Sequence, residues 1–161
     1  MKDKPGTLDD IRRKGREQEN SSRQLKEQSE AHKKRVETLD ESLKLLAQSN
    51  ESLDSSFGKD AIESIKREKE SSNRELQRFK EEHEELKREN ADLQKRLEAK
   101  RDNNRKVRKL LEVDKKLIHS ADGLRNKKST DESLEKEWNE IQHADVALST
   151  ARYKLNQLKI E

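Results

Sequence analysis

The 161-residue chain contains no cysteine, which excludes disulfides, thiolate chemistry and Cys-based zinc sites. Aromatic residues are almost missing: one Trp, one Tyr and two Phe. Leu, Ile, Val and Phe together number only 31. A compact domain of this length would bury a thick aliphatic and aromatic core, and these residues cannot furnish one. No window approaches the roughly eighteen apolar residues of a membrane span. The opening "MKDKPGTLDD" lacks the apolar run of a signal peptide. There is no Gly-rich phosphate loop and no nucleophile motif. The four histidines, His32, His83, His119 and His143, are never four residues apart, so no helical metal pair is visible. The expectation is a non-enzymatic, intracellular protein, cytoplasmic or nuclear, with no cofactor and no metal.

An excess of one charge is lacking too. Lys and Arg number 38, Asp and Glu 35, for a net +3. Disordered chains of low hydrophobicity usually carry a large net charge. Here the signs are finely mixed, 45% of residues are charged, and leucines recur sparsely. That combination marks long helices and coiled coils. Circular dichroism would separate this from a partly disordered chain that orders only on a heterologous helix.

Three helices are expected. Pro5-Gly6 ends a tail over 1–7, Thr7 caps a first helix with Asp9 and Asp10 in its first turn, and the helix runs over 8–57. Its apolar residues are thin at first (Leu8, Ile11, Leu25), then dense: Val36, Leu39, Leu43, Leu46, Leu53, Phe57. Gly58 suits the left-handed position after a helix, so 58–60 is read as a turn, with a kinked continuous helix as the alternative. A second helix spans 61–122, about 90 Å at 1.5 Å per residue. Gly123 and "RNKKST" suggest a loop over 123–130. Ser129 with Glu132 opens a third helix over 131–161, carrying Leu134, Trp138, Ile141, Leu148, Leu155 and Leu158 on one side.

The second helix has the most informative pattern. With Ile62 at heptad position a, the strongest seam is Leu76, Phe79, His83, Leu86, Asn90, Leu93 and Leu97. An Asn at position a is satisfied by its own copy in a parallel two-stranded coil, where it fixes register. The flanking charges agree. In such a dimer Glu75 would face Lys80 and Glu82 would face Lys87. The reading is therefore an all-α, elongated coiled coil: a parallel homodimer over 76–97 flanked by helical bundles or hairpins. Asn90→Ile should then raise thermal stability while relaxing dimer specificity. Near 96–106 the seam turns polar (Lys100, Asn104), and the coil is expected to loosen.

Beyond it, Val107, Leu110, Leu111, Val113, Leu117 and Ile118 form a stripe wider than a two-stranded seam, which points to a bundle. The third helix is its expected partner, with Trp138 and Ile141 in the core. Leu39, Leu43 and Leu46 on the first helix are candidates for similar packing or for docking another helical protein. The run "KRLEAKRDNNRKVRK", 95–109, holds eight basic residues against two acids. Its Lys100, Arg101, Arg105, Lys106, Arg108 and Lys109 could contact nucleic-acid phosphates. A basic-zipper reading fails, because that motif places its basic region before the leucines. No aromatics are interleaved for base stacking, so a solvated helix face is favoured. A second cluster, "RRKGR" at 12–16, reads as surface, with a localisation signal as the alternative. The function expected is a scaffold, spacer or assembly subunit acting through self-dimerisation and protein–protein contact; the alternative is a nucleic-acid-associated protein.

Overall fold

A computed structural model describes residues 7–49, 55–115 and 121–160. Within them the chain forms three helices and no strand: α1 (Leu8–Ser49), α2 (Ser55–Lys115) and α3 (Ala121–Gln157). Every pair of helices is in contact. No described helix is long and apolar enough to cross a membrane.

Helix α1 starts where its cap places it. The Asp10 backbone N–H donates to Thr7 Oγ1 at 3.3 Å, and the Ile11 N–H bonds to the Thr7 carbonyl at 3.1 Å. Inside α1 the heptad spacing never stops. Leu8, Ile11, Gly15, Gln18, Ser22, Leu25, Ser29, His32 and Val36 follow in steps of three and four, and all are buried or half-buried. The helix is thin in apolar residues because small and polar residues fill the same inward slots.

Two breaks expected from glycine lie inside helices. Residues 58–60 belong to α2 and 123–130 belong to α3, so 55–57 open α2 rather than close α1. No described glycine has positive φ, and an interior helical glycine costs only about 1 kcal/mol relative to alanine. Packing outweighs that, since Gly58 is itself buried. Near Ser129, Thr130 Oγ1 donates back to the Asn126 carbonyl at 3.0 Å. The helix runs through Ser129 without a new start, and the Thr130 hydroxyl is satisfied inside it. The described parts of α1 and α2 are separated by residues 50–54, and those of α2 and α3 by 116–120.

The contacts fix the topology. Arg35 on α1 pairs with Glu68 on α2, and Asn90 with Gln18, so α1 and α2 are antiparallel. Asn104 meets Leu134 and His83 meets Leu155, so α2 and α3 are antiparallel as well. α1 and α3 therefore run parallel along a longer α2, and they overlap it at different heights. Three helices meet only over a central segment, roughly 8–29, 76–100 and 138–160. There Ile11, Leu93, Leu97, Ile141, Ala144 and Leu148 form one buried cluster; Leu25, Leu76, Phe79 and Leu158 form a second. Beyond the centre, α1 and α2 continue as a two-helix arm at one end. At the other end α2 and α3 form another.

Candidate interaction surfaces

The seven seam residues of α2 do come together, but their partners are α1 and α3 of the same chain. Leu76, Phe79, His83, Asn90, Leu93 and Leu97 are buried, and Leu86 packs against the second cluster. Asn90 Nδ2 donates to Gln18 Oε1 at 2.8 Å and to the Leu148 carbonyl at 3.1 Å. A polar group in an apolar layer needs partners, and here each neighbouring helix supplies one. Pairing of 76–97 with its own copy would require α1 and α3 to vacate these positions. The edge charges find local partners too: Glu75 pairs with Arg78 and Lys87 with Glu84.

Other polar groups follow the same rule. His83 Nε2 lies 2.6 Å from the Leu155 carbonyl, and His32 Nδ1 lies 3.5 Å from Ser72 Oγ. Asn104, fully buried, donates to the Leu134 carbonyl and to Glu137 Oε1, each at 3.1 Å. The polar zone 96–106 thus does not loosen; α3 supplies its acceptors. Inside, Gln18 Nε2 and Asn104 Oδ1 have no partner among the described residues. Spare hydrogen-bonding capacity of this kind is costly in a core.

The basic zone is partly neutralised. Arg101 contacts Glu98 and Asp145, and Arg108 contacts Glu135 at 3.3 Å. Lys100 is half-buried, while Arg105, Lys106 and Lys109 are exposed. Trp138 is half-buried rather than enclosed. The guanidinium carbons of Arg105 and Arg108 each lie 5.6 Å from its ring centre, close enough for cation–π attraction. Two arginines, rather than the apolar stripe expected to enclose it, lie against the indole.

Of the docking candidates, Ile141 is fully buried and Leu111 nearly so. Leu39, Leu43 and Leu46 remain half-buried along the α1–α2 arm. Leu117 and Ile118 lie outside the described residues. Leu45, Leu110 and Val113 stand on outer faces and are at least 60% exposed, so the stripe near 110 is wider than α3 can cover.

One feature of the interior is hidden among charges in the sequence. Gly15, within "RRKGR", is buried, and a Cβ placed there would lie 3.1 Å from both the Ala147 carbonyl carbon and its Cβ. The glycine lets α1 approach the alanine-rich side of α3 closely. Its signal was the unbroken three–four spacing from Ile11 through Gly15 to Gln18.

Among the described residues there is no group of three or more His, Cys, Asp or Glu side chains placed to hold a metal. No family model matches the chain, and neither the curated proteins nor the solved structures contain a match.

Proposed function

We propose that this protein is a non-enzymatic helical scaffold, spacer or assembly subunit that works through protein–protein contact. The observation that carries the reading is the pair of two-helix arms. A third helix closes the apolar stripe only in the central segment. Toward the ends, Leu45 is 65% exposed on one arm, and Leu110 is 65% and Leu124 49% exposed on the other. Exposed apolar side chains at both ends of a rod are what a second copy or another helical protein would cover. Self-association is assigned to these arms, because the positions at 76–97 are already filled. An intracellular setting, cytoplasmic or nuclear, belongs to the same proposal.

Mass in solution, measured with a scattering-derived maximum dimension, tests it. The chain should assemble beyond one copy with a long dimension of at least about 90 Å, the length of α2. Leu45→Glu and Leu110→Glu should reduce assembly without loss of helicity. A wild-type chain that stays monomeric at high concentration contradicts self-association through the arms.

A second reading rests on the basic zone, where Lys95, Arg96, Lys106 and Lys109 remain exposed on α2. In that reading DNA or RNA mobility shifts with the protein. The shift vanishes with moderate salt and in Lys106→Glu/Lys109→Glu. An unchanged mobility at low salt excludes it.

A further inference from the structure

We propose that the groove between α1 and α3, on the side away from α2, docks an acidic amphipathic helix of another protein as a fourth helix of the bundle. This surface is distinct from the arms. It flanks the central segment, where three helices already meet.

The basic wall comes from α1. Arg12, Arg16, Arg23 and Lys26 line the groove in two adjoining stretches. They follow one another by four, seven and three residues, which keeps them on one face over about 21 Å. None of the four is ion-paired within the described residues. Glu19 is the one carboxylate among the lining residues, and it is already bound to Lys154 across the groove. The lining thus carries an uncompensated positive charge.

The other wall comes from α3. Val146 and Tyr153 line the same stretches and are each 65% exposed. They are seven residues apart, two helical turns, which is the repeat at which a neighbouring helix presents its own apolar residues. Gly15 and Ala147 draw the two helices close beneath, making a shallow seat with an apolar side and a cationic rim. A phosphate backbone would use the arginines but would gain little from Val146. An acidic helix with apolar residues at heptad spacing uses both walls: carboxylates toward α1, apolar side chains toward α3. Rim charges of this kind steer encounter and select the partner's sign, while an aromatic such as Tyr153 is the type of residue that anchors an interface.

Tyr153 is the chain's only tyrosine and Trp138 its only tryptophan, so each gives a single resonance when fluorinated. The probe is a Glu-rich synthetic peptide with Leu at heptad a and d positions, titrated into full-length protein carrying 3-fluorotyrosine and 5-fluorotryptophan. Two control probes are a scrambled peptide of equal composition and a short DNA duplex. The Tyr153 signal should shift saturably with the amphipathic peptide while that of Trp138 stays fixed. Arg16→Glu/Arg23→Glu should weaken binding by about tenfold or more, with circular dichroism and Tm reporting an intact bundle. Tyr153→Ala, followed by peptide fluorescence, should weaken it by about tenfold. No shift at Tyr153 with the amphipathic peptide overturns the proposal. So does equal binding of the scrambled peptide or the duplex, which would make the groove a general polyanion surface. Should the double charge reversal unfold the chain, the single variant Lys26→Glu carries the same test: binding unchanged by it counts against the basic wall.

Discussion

The central segment and the arms are written in the same heptad grammar, yet they bury their apolar residues to very different degrees. At the centre Leu93 is 2% exposed and Leu148 fully buried. In the α1–α2 arm Leu39, Leu43 and Leu46 keep the same spacing and remain half-exposed, and in the α2–α3 arm Leu110 is 65% exposed beside a buried Leu111. Helix number makes the difference. Two helices cover a narrow seam, and a third closes it. In the centre His83, Asn90 and Gln18 sit inside and each reaches a partner on another helix; Asn104 does the same farther along α2, against α3. The centre therefore holds the fold together, and the arms are where the proposed contacts are placed.

That contrast is broken most strongly by truncation. Leu148→Ala should cost about 2–5 kcal/mol, because it leaves a cavity between three helices. Leu43→Ala in the arm should cost well under half as much, since water already reaches that side chain. Paired urea titrations measure both, and equal losses would mean that centre and arm are packed alike.

Next comes Asn90. Asn90→Ile should destabilise by about 1–3 kcal/mol, because Gln18 Oε1 loses its donor inside the core. This reverses the gain expected of an Asn pair in a dimer seam. The double variant Gln18→Leu/Asn90→Ile should recover most of the loss, since removing both partners together can be nearly neutral. Thermal melts of the two variants decide it, and a stabilised single variant would show that Asn90 does not depend on Gln18.

Gly15→Val should cost about 1–3 kcal/mol by overpacking. The atoms in its way include the Ala147 and Leu148 backbone, which cannot rotate aside, so α1 and α3 must separate. A melting temperature at or above wild type would mean that the two helices give way freely.

The smallest effect belongs to the arm's surface. Removing the exposed Arg35–Glu68 pair should change stability by about 0.2–1 kcal/mol, and less at high salt. A double-mutant cycle measures it. A coupling above that range would make the arm's ion pairs structural.

Much of this architecture was legible in the sequence. Three helices, the start of α1 at Thr7, and the inward face of α2 from Leu76 to Leu97 follow from caps and spacing. The identity of the covering helix does not. An a/d stripe states which side chains avoid water but is silent on whether the cover comes from another copy or from the same chain. Asn90 shows this: its spacing marked it as a buried polar residue, and its partner proved to be Gln18, seventy-two residues away on a helix that looks too polar to pack. Gly15, Ser22 and Ser29 concealed that helix's inward face, because small and polar residues carry no hydropathy signal even where their spacing is intact. Gly58 and Gly123 misled in the opposite direction. Glycine permits a turn, but tertiary packing can hold it helical. The basic run at 95–109 was visible, whereas the groove lined by Arg12 and Tyr153 was not, since its walls come from opposite ends of the chain.

Whether one chain closes its own seam is read from the surroundings of the Asn90 side-chain amide. Isotope-filtered NOE spectroscopy on mixed labelled and unlabelled protein separates contacts within a chain from contacts between chains. Intrachain NOEs are expected from the Asn90 amide protons to Gln18 on α1 and Leu148 on α3, with none crossing the filter. Interchain NOEs among Asn90, Leu93 and their copies, with no contact to Gln18, would contradict it and return these residues to a parallel dimer.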